Sequence, residues 1–90
     1  MTEEPAPEKI SVQWSQDARI ELRAISRDSA LQILHCLDRY LATRAGDVKR
    51  LKLPLVGFRL RCADYRVFFD FINNDTIEVI GVRHRKYAYR

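Results

Sequence analysis

The spacing of apolar residues changes once along this chain of 90 residues, at Gly46. Before Gly46, apolar residues recur every three or four positions, which is the period of an amphipathic helix. After it, apolar and polar residues alternate, which is the period of a half-buried strand. Helical patterns grouped before a run of short strands predict an α+β domain, because each helix needs a sheet face against which to bury its apolar side.

One strand and two helices are predicted before the change of period. Residues 9–14 alternate as a short strand, and Ser15 offers an N-cap for a helix to about Ser26. Ser26 or Asp28 caps a second helix, which ends near Gly46, and the two helices form an antiparallel hairpin. We expect the apolar stripe of the second helix in the core: Ala30, Leu31, Ile33, Leu34, Leu37 and Leu41.

Three more strands are predicted after Gly46. They cover residues 56–62, 65–72 and 76–82, with turns at 63–64 and 73–75. The pattern around Leu51 and Leu53 also alternates, but Pro54 interrupts it. The predicted order is therefore β-α-α-β-β-β, with the helical hairpin packed on a mostly antiparallel four-stranded sheet.

The composition is typical of one small globular domain, with 47% apolar and 31% charged residues. We expect that domain at residues 9–90, after a disordered acidic leader at 1–8 that lacks the apolar segment of a signal peptide. No apolar run approaches the ~18 residues that a membrane span needs. Cys36 and Cys62 are expected to be buried thiols in a reducing cytoplasm, with a single bridge between them as the alternative.

Positive charge is concentrated in the second half of the chain. The net charge is +4, yet residues 49–90 alone carry ten Lys and Arg against four acidic residues. Most of this excess is arginine, whose planar guanidinium suits bidentate contact with phosphate, so a polyanion such as RNA is a candidate ligand. The alternative is a solvated basic face without a ligand.

Three arginines are expected to meet on one face of the predicted hairpin. Arg59 and Arg61 are two residues apart, and a two-residue turn at 63–64 places Arg66 opposite Arg61. Like charges in opposed positions destabilise a hairpin, and such costs are tolerated mainly at functional sites. The alternative is that one of these arginines pairs with a nearby carboxylate: Asp64, Asp70 or Glu78.

The segment after the last predicted strand adds His84, Arg85, Tyr87 and Tyr89, and it emerges beside this cluster if that strand pairs with residues 65–72. Basic groups with a neighbouring aromatic ring can bind a phosphate and stack a base, as in complexes with single-stranded RNA. His84 is the side chain suited to proton transfer near neutral pH. His35 and Cys36 point apart on a helix, so they predict no metal site.

Three segments together resemble the RelE/ParE toxin superfamily. They are residues 48–52, with a leucine flanked by lysines; residues 58–69, FRLRCADYRVFF; and residues 79–89, VIGVRHRKYAY. The resemblance covers residues 10–90, and the family's fold agrees with the predicted order of elements.

The resemblance implies a cytoplasmic toxin of a toxin–antitoxin system. RelE-type members are endoribonucleases that cut mRNA in the ribosomal A site of the 30S subunit, using neither a metal nor another cofactor. The ribose 2′-hydroxyl attacks the adjacent phosphate. The implied partners are a cognate antitoxin protein and ribosome-bound mRNA, with no membrane and no small-molecule cofactor.

The resemblance also implies roles for individual residues. The implied catalytic residues are Arg59, Arg61, Arg66, His84, Arg85 and Tyr89. The implied RNA-binding residues are Lys49, Lys52, Arg83, Lys86 and Tyr87. Arginine stands at 59 and 61 where some relatives have lysine, and Arg83 replaces a motif glycine.

Arginine does not lose its proton in proteins, so proton transfer would fall to His84 or to a substrate-assisted path. Two other functions remain open: a ParE-like inhibitor of DNA gyrase, and a decayed toxin that only binds its antitoxin.

Overall fold

The structure is a computed structural model, and it describes residues 10–88. The leader predicted at residues 1–8 and the implied catalytic residue Tyr89 lie outside the described residues. In chain order the elements are β1 (Ser11–Trp14), α1 (Gln16–Arg23), α2 (Arg27–Thr43), β2 (Asp47–Arg50), β3 (Phe58–Cys62), β4 (Tyr65–Asn73) and β5 (Thr76–His84). No helix within the described range is long and apolar enough to cross a membrane.

The strands form one sheet in the order β1-β5-β4-β3-β2. β1 runs parallel to β5, and the other neighbouring strands pair in antiparallel fashion. The predicted α+β class is confirmed, but the predicted count of four strands is wrong because β2 forms a fifth. β2 lies at the sheet edge and half-buries only Val48, so its sequence shows little apolar alternation.

Both helices begin at serine caps, and the helix ends differ from the prediction. The Ser15 Oγ accepts a hydrogen bond from the Ala18 N–H at 3.0 Å, and the Ser26 Oγ caps α2 in the same way. The first helix stops at Arg23, three residues before the expected end. The second stops before Arg44, which takes the left-handed conformation (φ 65°) that a glycine normally supplies. Gly46 therefore precedes β2 rather than ending the helix.

The core lies between α2 and one face of the sheet. Helix α2 buries Ile33, Leu37 and Leu41, which face buried sheet residues such as Leu60 and Phe69. The expectation that Leu31 and Leu34 belong to the core is wrong, since they are 43% and 38% exposed. They lie on the flank of the buried stripe and line a surface groove with Val12 and Trp14.

A disulfide joins α2 to β3. Cys36 and Cys62 are bonded, with their Cα atoms 5.9 Å apart, so the expectation of two thiols is wrong and the alternative of a bridge holds. Packing explains the outcome. The buried stripe of α2 runs along β3, which places the two Cα atoms within the 4.4–6.8 Å that a disulfide requires.

Helix α1 closes the part of β5 that β1 leaves unpaired. β1 ends at Trp14, opposite Val79, while β5 continues for five more residues. There the Ser15 Oγ donates to the Ile80 carbonyl, and the Val82 N–H donates to the Glu21 carboxylate. The free backbone groups of a strand edge are thus satisfied by a helix that follows β1 directly.

Candidate nucleic-acid interface

The sheet face opposite the core carries a row of three arginines, which we call the arginine row. Arg61 on β3 lies opposite Arg66 on β4, and Arg66 lies opposite Arg83 on β5. Because neighbouring strands are about 4.8 Å apart, the three side chains originate within about 10 Å. The predicted opposition of Arg61 and Arg66 is confirmed, and Arg83 extends it.

A second set of side chains lies two residues further along the same face. Lys49 on β2 is opposite Arg59 on β3, and Arg59 is opposite Phe68 on β4. Since alternate residues of a strand share a face, Arg59 lies on the same side as the arginine row. The prediction that Arg59, Arg61 and Arg66 share one face is confirmed.

Arg66 is the buried member of the arginine row. It is only 7% exposed, and its Nη1 donates to the carbonyl oxygens of Ala63 and Tyr65, each at 3.0 Å. Its Nε is buried and has no hydrogen-bond partner within residues 10–88. A buried cation that makes only two bonds to neutral carbonyls keeps unused donors for an anion.

The outer two arginines each face a carboxylate. The Arg61 Nη1 lies 4.0 Å from the Asp47 Oδ2, and the Arg83 Nε lies 3.5 Å from the Glu21 Oε2. Both pairs are partly solvent-exposed and contribute little to stability. Their effect on the site is electrostatic. The two carboxylates partly offset the charges of Arg61 and Arg83, so the positive charge of the row is centred on Arg66.

Arg85 is tied to the hairpin turn that precedes Arg66. Its backbone N–H donates to the Asp64 carbonyl at 2.8 Å, and its Nε lies 3.9 Å from the Asp64 carboxylate. The alternative in which Asp64 neutralises one of the hairpin arginines is therefore not what the structure has. Instead, Asp64 holds the segment after β5 beside the β3–β4 turn.

His84 lies on the other face of the sheet. It is opposite Tyr65, and the two rings meet edge to face with centroids 5.3 Å apart. Its Nδ1 accepts the Lys86 N–H at 3.1 Å, so the neutral ring carries its hydrogen on Nε2. The structure therefore does not bring His84 together with the arginine row.

Of the remaining predicted RNA-binding residues, Lys49 lies opposite Arg59 on the face of the arginine row, whereas the Tyr87 ring lies beside His84, with ring centroids 6.4 Å apart. Lys49, Lys52, Lys86 and Tyr87 are all exposed. The backbone N–H of Tyr87 donates to the His84 carbonyl, which turns the chain back after β5.

An apolar cleft of about 240 Å³ adjoins the arginine row at Arg83. Leucine and valine side chains of the loop between β2 and β3 form one wall. The residues that line it are Leu51, Leu55, Val56, Phe68, Ile80, Gly81, Arg83 and Ala88. The cleft was not predicted from the sequence, although apolar residues in a loop are a signal of such a surface.

Two carboxylates of the site were also missed. Glu21 is the more informative, because it occurs on the side of α1 marked by the apolar residues Ala18 and Leu22, a stripe that Ile25 continues just after the helix. A charged residue inside such a stripe faces the protein rather than solvent, and it requires a partner there. Asp47 carries no comparable sequence signal.

The model of the family described as ParE toxin of type II toxin–antitoxin systems, parDE, matches residues 12–89. The chain belongs to this family. It is a toxin of a type II toxin–antitoxin system, and the resemblance to the RelE/ParE toxin superfamily is confirmed. A search of curated proteins gave no match.

Solved toxin structures have the same fold. The chain is similar to a RelBE toxin–antitoxin complex from Mycobacterium tuberculosis, with TM-score 0.70 and 24% identity over 86% of this chain and 99% of that one. It is similar to the RelE–RelB complex of Pyrococcus horikoshii, with TM-score 0.69 and 20% identity over 89% and 99%. The complex from Methanococcus jannaschii gives TM-score 0.66 and 21% identity over 87% and 98%.

Proposed function

We propose that this toxin is an endoribonuclease that cleaves ribosome-bound mRNA, with Arg66 binding the phosphate that is cut. The observation that carries the proposal is the buried guanidinium of Arg66, whose Nε has no partner and which contacts no carboxylate within residues 10–88. Burying a cation without an anion is costly, and a phosphodiester group supplies the missing charge. Arg61 and Arg83 lie on either side to bind the same strand.

The proposed reaction is attack by the ribose 2′-hydroxyl on the adjacent phosphorus. The O2′–P bond forms and the P–O5′ bond breaks, which leaves a 2′,3′-cyclic phosphate and a 5′-hydroxyl. The pentavalent transition state carries more negative charge than the substrate. A preorganised donor at that charge contributes roughly 3–4 kcal/mol. Arg59, Arg61, Arg66 and Arg85 are the proposed donors, and Tyr89 the residue that stacks a base.

The proton path in this proposal runs through the substrate. The arginines cannot act as bases, and His84 points away from the arginine row with its Nδ1 already bonded to Lys86. The 2′-hydroxyl proton therefore moves to a non-bridging phosphate oxygen and then to the leaving 5′-oxygen. His84 is left to orient Tyr65 and the segment after β5.

The proposed partners are ribosome-bound mRNA and a cognate antitoxin, which places the toxin in the cytoplasm. The similar structures from M. tuberculosis, P. horikoshii and M. jannaschii are all toxin–antitoxin complexes. An acidic antitoxin segment would compete with RNA for the basic half of this chain.

The test is to map mRNA 5′ ends after induction and to measure cleavage on programmed ribosomes. Arg66→Ala is expected to lower the cleavage rate about 10²–10³-fold, as expected for loss of one preorganised donor. Arg85→Ala should also lose activity, and Arg66→Lys should recover only part because lysine lacks the planar fork. Arg19→Ala removes an exposed positive charge on α1 and serves as the matched control.

Two outcomes would count against parts of the proposal. Wild-type cleavage by a folded Arg66→Ala variant would refute the assignment of Arg66. A changed pH profile in His84→Gln would replace the substrate-assisted path with proton transfer by His84.

The matching ParE family model favours inhibition of DNA gyrase as the second candidate. A supercoiling assay with the same variants separates the two functions. Gyrase inhibition with intact mRNA would select the second candidate.

A further inference from the structure

We infer that Glu21 is a positioning residue that holds Arg83 in the arginine row. Its effect on RNA rests on the proposed function, but the contact itself does not. Glu21 belongs to α1, and it precedes Val82 of β5 by 61 residues in the sequence. No implied role of the family motifs falls on α1.

The Glu21 carboxylate binds both the backbone and a side chain of β5. One oxygen accepts the Val82 N–H at 2.7 Å, and the other lies 3.5 Å from the Arg83 Nε. The backbone contact fixes the carboxylate in place. The side-chain contact then fixes the direction in which the guanidinium of Arg83 leaves the strand.

Glu21 contacts the guanidinium of Arg83 at Nε and leaves its two terminal nitrogens for RNA. Glu21 lies near Nε, and a guanidinium has four further N–H donors on its two terminal nitrogens. Arg83 has a side chain 51% exposed to solvent. A long exposed side chain samples many rotamers, so restricting it before the ligand arrives reduces the entropy lost on binding.

Gly81 leaves the space that this contact occupies. A Cβ atom at position 81 would lie 3.3 Å from the Glu21 Oε1 and 3.9 Å from the Arg83 Nε. An added Cβ would therefore press on the Glu21 carboxylate, which would have to move by a few tenths of an ångström, while it would meet Arg83 at ordinary van der Waals distance. Glu21, Gly81 and Arg83 form a unit in which helix, strand edge and guanidinium fit together.

Charge alone predicts the opposite effect from positioning. If Glu21 acted only through its charge, Glu21→Gln would make the site more positive and so strengthen its binding of RNA, which is a polyanion. If Glu21 positions Arg83, the same change weakens RNA binding and cleavage. Glutamine keeps an oxygen for the Val82 N–H, so the strand edge stays closed.

The experiment compares Glu21→Gln with Asp17→Asn, which makes the same change of charge at an exposed site on the same helix. We expect the kcat/KM for RNA cleavage to be about twofold to fivefold lower in Glu21→Gln than in Asp17→Asn, from loss of a partly exposed ion pair. The difference should vanish when Arg83→Gln is combined with each variant, because the effect acts through Arg83. Equal values in the two single variants would overturn the inference.

A second measurement is independent of RNA cleavage. In NMR spectra of the ¹⁵N-labelled protein, the Nε–H of Arg83 should give a signal protected from exchange, and Glu21→Gln should remove that protection. If wild type cleaves no RNA, the proposed function fails while this readout still tests the contact. An unprotected Arg83 Nε–H in wild type would refute the contact even if RNA is cleaved.

Discussion

Reducing the disulfide between Cys36 and Cys62 should destabilise the toxin strongly. The bond closes a loop with a sequence separation of 26, for which the chain-entropy model gives about 3.5 kcal/mol at 25 °C. A domain of 90 residues has a total stability of roughly 5–13 kcal/mol. The bridge therefore accounts for a large fraction of it, and a reducing solution should open it.

The assay is thermal unfolding of the purified chain with and without reductant. For a domain of this size 1 kcal/mol corresponds to about 4–8 °C, so the Tm should fall by roughly 14–28 °C. A Cys36→Ser, Cys62→Ser double variant should show the lower Tm in both solutions. An unchanged Tm in reductant, with mass spectrometry confirming two free thiols, would refute the reasoning.

Two further changes test the local structure. Ser15→Ala removes the cap on Ala18 and the bond to the Ile80 carbonyl, so unfolding experiments should show a loss of about 1–2 kcal/mol. Gly57→Ala places a Cβ 2.6 Å from the Phe69 carbonyl oxygen at φ 108°, so circular dichroism should show a destabilisation of about 3 kcal/mol or more. A Gly57→Ala protein with wild-type Tm would contradict the described backbone.

The sequence predicts most of the fold because its signals are local. Ser15 and Ser26 occur directly before apolar stripes of helical period; Ser15 caps α1 as predicted, and Ser26 rather than the alternative Asp28 caps α2. The turn at 63–64 follows from spacing alone, and it sets the observed opposition of Arg61 and Arg66.

The rest depends on contacts between distant segments. The spacing of apolar residues predicts neither strand β2 nor the hydrogen bond from the Val82 N–H to Glu21, because each depends on an element far along the chain. The face on which His84 lies follows from its pairing with Tyr65, and parity along β5 then separates it from Arg83. The expectation that His84 joins the arginines, which rested on its nearness to Arg83 in the sequence, is therefore wrong.

The position of β5 in the sheet bears on how the toxin is made. Although β5 is the last strand described, it lies in the interior, between β1 and β4. Synthesis on the ribosome delivers the N-terminal elements first, so β1 has no partner until β5 has emerged. A polypeptide interrupted before residue 76 lacks this interior strand, and with it the Arg83 member of the arginine row. Premature stop codons and stalled translation therefore yield a chain whose sheet is incomplete, so the fold forms only after β5 has been made.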